Sequence, residues 1–167
     1  MQSNISKNAM LNGLFIGLLL SLKFIFSVQK YNFFAFLTIA ISVFIIFTLF
    51  RLTIRLRENE FGGVITYKQS FQYIFLIYFY GSIISSLVML IYTKFIDSVF
   101  LQTMLDTQLK FYETLKLHID DQTYNLLEKI YKPAGFSMLN IFSGLLGGAF
   151  WSLILSAFIK KEKNIFE

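Results

Sequence analysis

The chain has 167 residues, of which 56% are apolar and 15% charged, and its mean hydropathy is +0.62. This composition lies outside the range of soluble domains and is typical of a chain that folds in lipid, at a length that suits one domain. The net charge of +5 does not indicate a nucleic-acid partner, because the basic residues flank apolar runs, where they anchor helix ends near anionic headgroups.

Residue usage also restricts the chemistry. The chain has no cysteine, which excludes disulfides, thiolate metal sites and cysteine nucleophiles. Its one histidine, His118, has no second histidine or cysteine to complete a zinc site, and we expect no metal and no cofactor. His118 stands beside Asp120 and Asp121, yet a solvated loop histidine is the favoured interpretation.

Four long runs are almost free of ionisable side chains. A helix rises about 1.5 Å per residue and a bilayer core is about 30 Å thick, so roughly 20 apolar residues suffice to cross it. The sequence therefore predicts an all-α fold: an integral membrane bundle of four transmembrane helices in a single domain, residues 1–167. The expected spans are 8–28, 31–50, 67–93 and 134–159, with an extramembrane helical connection over 95–132 between spans three and four.

The first span contains Lys23, the one ionisable residue inside an apolar run. An intramembrane charge commonly marks an ion or proton pathway and needs a carboxylate partner, which no other span supplies. Because Lys23 lies near the end of its span, the favoured interpretation is that its ammonium reaches the interface. The run has no A-x-A site, so we do not expect it to be cleaved as a signal peptide.

The first connection, around Gln29 and Lys30, is short and predicts a helical hairpin. In the segment from Arg51 to Arg57, polar and apolar residues alternate as in a strand, but a helical continuation of the second span is favoured. Gly62 and Gly63 then break the helix. Thr66 and Gln69 have capping-box spacing, which predicts that the third span begins near Tyr67.

The long third connection is predicted to be helical. Apolar residues recur at helical spacing from Leu101 to Leu115, and the pairs Asp106 with Lys110 and Glu113 with Lys116 suit an amphipathic helix. Asp120 or Asp121 is expected to cap a second short helix. Pro133 ends that helix and opens the fourth span. This connection lies either across the bundle mouth or on the membrane surface.

Small residues mark the faces through which helices pack in a membrane, because lipid tails provide no hydrophobic exclusion between helices. The predicted packing seam comprises Gly13, Gly17, Ser21, Gly81, Ser85, Gly144, Gly148 and Ser152. Spans one, three and four are therefore expected to form the centre, with the phenylalanine-rich second span at the periphery. Contacts within one chain are favoured over contacts between copies.

Basic residues near span ends favour a topology with both termini in the cytoplasm. The proposed anchors are Arg51, Arg55, Arg57, Lys68, Lys160 and Lys161, with Lys7 and Lys163 on the same side. They act as topology anchors or bind the phosphates of anionic lipids, and the first role is favoured.

No catalytic constellation is visible, so the chain is not expected to be an enzyme. Asn12 and Asn140 are polar residues within spans, and each is expected to hydrogen-bond to a neighbouring helix.

The order of these parts resembles a bacterial four-span membrane family known only as a domain of unknown function, numbered forty-one ninety-nine. The resemblance rests on the glycine-bearing first span, the glycine-rich fourth span that ends in lysines, and two local stretches, Phe61-Gly62-Gly63-Val64-Ile65-Thr66-Tyr67 with Phe71 after it and Lys132-Pro133-Ala134-Gly135-Phe136. It implies a helical protein of a bacterial inner membrane and supplies no activity.

Two functional hypotheses remain. The first is a non-enzymatic scaffold or accessory subunit of a membrane complex, whose partners are membrane lipids and either a second copy or another membrane protein. The second is a small transporter or channel component, with spans one, three and four lining a path rich in serine and glycine.

Overall fold

The computed structural model describes residues 2–29 and 31–161, with side chains from residue 5 onward. Lys30 and Lys163 lie outside the described residues. The helices are α1 (Gln2–Ser27), α2 (Asn32–Phe61), α3 (Tyr67–Ile91), α4 (Phe100–Thr114), α5 (Asp121–Ile130) and α6 (Pro133–Ile159), and a π-helical turn, Tyr92–Ile96, extends α3. Four segments are long and apolar enough to cross a membrane, namely Ile5–Ser27, Asn32–Phe61, Tyr67–Ile96 and Pro133–Ile159. The predicted all-α membrane bundle is confirmed.

Helix α2 is longer than the predicted second span. It continues as a helix through Arg57 to Phe61, as favoured from the sequence, and ends at Gly62, whose φ of 62° is left-handed. Gly63 follows with a φ of 86°. Glycine adopts this conformation without the Cβ penalty that other residues incur, so the pair reverses the chain within a few residues.

Helix α3 begins where the capping box predicted. The backbone N–H of Gln69 donates to the Thr66 hydroxyl, and the Gln69 side chain accepts from the backbone N–H of Thr66 at 3.0 Å. These two bonds satisfy donors that the first helical turn would otherwise leave free.

The extramembrane connection forms two helices, as predicted, but the expected ion pairs are absent among the described residues. Asp106 accepts from Gln102 at 3.1 Å instead of pairing with Lys110. Lys116 lies beyond the end of α4 with a φ of 53°, which takes it off the helical face of Glu113. Asp120 caps α5 by accepting from the backbone N–H of Thr123 at 2.9 Å, and Pro133 opens α6.

Helix α3 is the centre of the bundle. Its main contacts are with α6 and α1, whereas α2 contacts chiefly α1. This agrees with the expected central and peripheral helices. Large side chains on α2 point outward, as lipid-facing residues do; they include Phe33, Phe36, Phe44 and Phe47.

The antiparallel contact of α3 with α6 keeps one register over several turns. Gly144 meets Ser82, and a Cβ added at Gly148 would lie 2.6 Å from the Cβ of Tyr78. One turn further, the Asn140 amide donates to the Ser86 hydroxyl at 2.8 Å.

The end of the bundle that carries the chain termini is held together by a contact that the sequence did not indicate. Ile65, in the turn before α3, forms an isolated antiparallel bridge with Lys161 through two backbone hydrogen bonds of 3.0 Å. The Arg57 guanidinium also donates to the carbonyl oxygen of Ile159 at 3.1 Å. A cation near a free carbonyl at a helix C-terminus is stabilising, so Arg57 ties α2 to the end of α6.

Candidate functional site: a cavity between α1, α3 and α6

Helices α1 and α6 pack on α3 but contact each other little, and a cavity of about 440 Å³ lies between them. It occupies the half of the bundle next to α4, on the side opposite the termini. Residues of α1, α3, α4 and α6 line it. Its volume is within the roughly 300–1,000 Å³ range of small-molecule sites.

Six polar side chains contribute to the cavity wall: Lys23, Ser27, Tyr78, Ser82, Ser85 and Asn140. Lys23 is partly buried and lies one turn before Ser27, where α1 ends. Asn140 is two turns into α6 and is oriented by its bond to Ser86. Lys23 and Asn140 therefore lie in the outer part of the membrane layer, within roughly 10 Å of the helix ends at a rise of about 1.5 Å per residue. Tyr78 lies near the middle of its span.

Three of these residues are almost fully buried, and one of them, Ser82, is 1% exposed and donates to the carbonyl oxygen of Phe79 at 2.8 Å. Tyr78 is 7% exposed and Ser85 is 3% exposed. Within the described part of the chain, neither hydroxyl makes a hydrogen bond, and the Lys23 ammonium has no ion-pair partner. The α1, α3 and α6 spans contain no carboxylate that could supply one.

An aromatic cluster closes the cavity on the side of α4. The Phe100 ring lies edge-on to Phe24, Tyr92 and Phe136, with centroid distances of 6.3, 6.4 and 6.5 Å. Leu101 and Leu105, which follow Phe100 on α4, are buried. The first half of α4 therefore lies against the bundle mouth.

A second cavity of about 290 Å³ adjoins the first on the side of α2. The two share Lys23, Tyr78 and Asn140 in their walls, so these side chains stand between them. The second cavity is also lined by Trp151, the single tryptophan of the chain.

Close helix packing blocks the bundle below the cavities. A Cβ added at Gly13 would lie 2.7 Å from the Cβ of Tyr80, and one at Gly17 would lie 2.8 Å from that of Ile84. Ile16 and Ile77 are fully buried at the same level. A separate polar cavity of about 270 Å³ near the termini is lined by α1, α2 and α3 and includes Arg55 and Tyr73. The Asn12 amide donates to the Tyr73 hydroxyl there at 2.7 Å.

The predicted seam residues fall into three environments. Gly13, Gly17 and Gly81 lie where α1 meets α3, and Gly144 and Gly148 lie against α3 from α6. Ser21 and Ser152 are buried, and each donates to the carbonyl oxygen four residues earlier, that of Gly17 and Gly148. Ser85 lines the cavity, as Gly144 also does.

The proposed anchor residues gather at the termini side of the bundle. Arg51, Arg55, Lys68, Lys160 and Lys161 are exposed there, and Arg51 lies over the Phe47 ring at 5.5 Å. Arg57 is the exception, since it is partly buried and bonds to α6.

Sequence reasoning considered Lys23 and Asn140 separately and did not consider Tyr78. The missing information is which helix faces which, since Lys23 on α1, Tyr78 on α3 and Asn140 on α6 meet only through the packing on α3. A weak signal was present. Lys23 lies near the end of α1 and Asn140 near the start of α6, and because these helices run in opposite directions, both polar residues lie toward the same end of the bundle. Among residues 2–29 and 31–161, no group of histidine or acidic side chains is arranged to hold a metal ion.

Comparison with known proteins places the chain in a family without assigning an activity. No curated protein and no solved structure matches it. One family profile, described as a protein of unknown function, matches residues 11–161 and so covers most of the first span, the other three spans and the extramembrane helices. The chain therefore belongs to this family, DUF4199.

Proposed function

We propose that this protein is a non-enzymatic accessory subunit of a membrane complex, located in a bacterial inner membrane, and that it contacts its partner through α4 and α5. The observation that carries the proposal is the exposed apolar surface of these two extramembrane helices. Helix α5 has no buried residue, and Leu126 on it is 59% exposed. Phe111, Leu115 and Leu117 are about as exposed around the end of α4.

The packing of the bundle supports a structural role. The glycine contacts of α1 and α6 with α3 fix the spans against each other, so the bundle offers a rigid base for α4 and α5. A helix with an apolar stripe that the described residues leave uncovered is suited to a hydrophobic contact with another protein. The partner we propose is another integral membrane protein, whose surface meets this stripe beside the bilayer.

The test is purification from native membranes in mild detergent, with a photo-crosslinking amino acid at Leu126. We expect one defined membrane protein to be enriched and crosslinked. The partner should no longer co-purify with the Leu126→Ser variant. It should still co-purify with the Gln122→Ser variant, which changes an exposed polar position of the same helix. The proposal would be contradicted if this protein were recovered only as a monomer and no crosslinked partner were found.

A second function is favoured by the cavity. A one-sided cavity that contains Lys23 and Asn140 is the arrangement expected of a transporter component at rest, with the aromatic cluster around Phe100 as the barrier on the α4 side. Flux of solute or ions across liposomes that contain only the purified protein would support this function over the first. We expect no flux, because packing around Gly13 and Gly17 separates the cavity from the other side.

A further inference from the structure

We propose that the cavity between α1, α3 and α6 binds an anionic single-chain amphiphile from the surrounding bilayer, with Lys23 as the counter-ion of its carboxylate or phosphate group. This goes beyond the accessory role, since it assigns a ligand to a site that the partner-binding helices do not form.

The charge of the site points to an anion. A cationic side chain within a membrane is costly unless it has a partner, and no carboxylate of the described residues pairs with Lys23. Glu58 on α2 forms an ion pair with Arg57 at the opposite end of the bundle. Among residues 2–29 and 31–161 no negative group compensates Lys23, and an anionic ligand from the bilayer would supply one.

The neutral polar groups of the site suit the same ligand. The Tyr78 and Ser85 side chains are largely buried and line the cavity. Among the described residues neither hydroxyl makes a hydrogen bond, and each has a proton to donate. The Asn140 amide gives one N–H to Ser86 and retains another. Together with the ammonium, these donors match the acceptor oxygens of a carboxylate or phosphate, whose charge-assisted hydrogen bonds are stronger than neutral ones.

The rest of the wall suits an acyl chain. Its apolar surface is formed by Leu20, Phe24, Met89, Phe100 and Met104. Phenylalanine and methionine side chains adapt to a flexible hydrocarbon chain. Because α1 and α6 contact each other little, a chain can enter laterally from the lipid between these two helices. A fully soluble anion would leave these apolar walls uncovered.

Trp151 provides the reporter for the test, since it is the only tryptophan and lines the adjoining cavity. The protein is reconstituted in nanodiscs of phosphatidylcholine and titrated with a brominated fatty acid, which quenches tryptophan at short range. We expect saturable quenching that oleate displaces and oleyl alcohol does not. Acetate and inorganic phosphate should not compete, which distinguishes an amphiphile from a free anion.

Substitutions of Lys23 test whether its positive charge is needed for binding. Lys23→Gln should weaken binding roughly ten- to a hundred-fold, the range expected for a lost hydrogen bond to a charged group. Lys23→Arg should retain binding, and Lys94→Gln, which removes an exposed lysine near the same end of the bundle, should leave it unchanged. Circular dichroism and gel filtration verify that the variants are folded. Equal affinity of the Lys23→Gln variant, displacement by oleyl alcohol as strong as by oleate, or competition by free phosphate would overturn the proposal.

Discussion

Two neighbouring glycines of α6 allow the packing of α6 on α3 to be tested with one kind of substitution. In Gly148→Ala, the new Cβ would lie 2.6 Å from the Cβ of Tyr78, about 1 Å closer than the normal 3.5–4.0 Å contact between carbon atoms. The Tyr78 Cβ is fixed to its backbone and cannot rotate away, so α6 must move. Overpacking of this kind costs about 1–3 kcal/mol. In Gly147→Ala, the new Cβ meets no heavy atom within 4 Å.

Both variants gain the same helix propensity, about 1 kcal/mol over glycine. The difference between their unfolding free energies therefore measures the steric overlap with Tyr78. We expect Gly148→Ala to have a free energy of unfolding about 1–3 kcal/mol lower than Gly147→Ala, and Gly148→Leu to be lower still. Steric-trap unfolding in bicelles measures this difference. Equal unfolding free energies for the two alanine variants would refute the proposed contact of α6 with α3.

Three further predictions concern other parts of the molecule. A double-mutant cycle with Asn12→Ala and Tyr73→Phe should give a coupling of about 0.6 kcal/mol in unfolding free energy, typical of hydrogen bonds between membrane helices; zero coupling would mean that the bond does not link α1 to α3. Hydrogen bonds from Thr123 hold the pKa of Asp120 below its ordinary value. The charged cap therefore stabilises α5 above that ordinary value and loses this effect as pH falls through the lowered pKa, so amide protection factors in α5 should fall on acidification. In Asp120→Ala they should be low throughout, and protection equal to that of the unchanged protein would contradict the cap. An impermeant thiol reagent should label Thr114→Cys but not Ser3→Cys from outside intact cells, and the reverse pattern would invert the topology.

The features predicted correctly from the sequence depend on local interactions. Gly62 ends α2, Thr66 caps α3 and Asp120 caps α5, and each of these contacts joins residues at most a few positions apart. The failed ion pair of Glu113 with Lys116 shows the limit of this reasoning, since it assumed that α4 continues past Leu115.

The features that the sequence did not reveal join distant residues. The bridge of Ile65 with Lys161 depends on how far α6 extends relative to the start of α3. The meeting of Lys23, Tyr78 and Asn140 depends on which faces of α1 and α6 turn toward α3. Small residues indicate that a helix face is in contact, but they do not name the helix on the other side.

The cavity follows from the order of side chains around α3. Successive residues of a helix turn by about 100°. If Gly81 is set at zero, Ser85 and Tyr78 lie about 40° and 60° around the axis, and Ser82 and Ser86 lie at about 100° and 140°. Gly81 contacts α1, whereas Ser82 and Ser86 contact α6.

Ser85 therefore occupies the strip of α3 between its two partner helices, and Tyr78, whose Cβ lies against Gly148 of α6, borders the same strip. The small residues draw α1 and α6 onto α3 and not onto each other, so this strip is left as the floor of a gap, with Lys23 on one wall and Asn140 on the other. Polar groups on such a strip are hidden from lipid by the flanking helices and are not covered by either. The same stripes that pack the bundle thus leave a polar site within it, and a ligand with both an anionic group and an apolar chain is the kind that this site can accept.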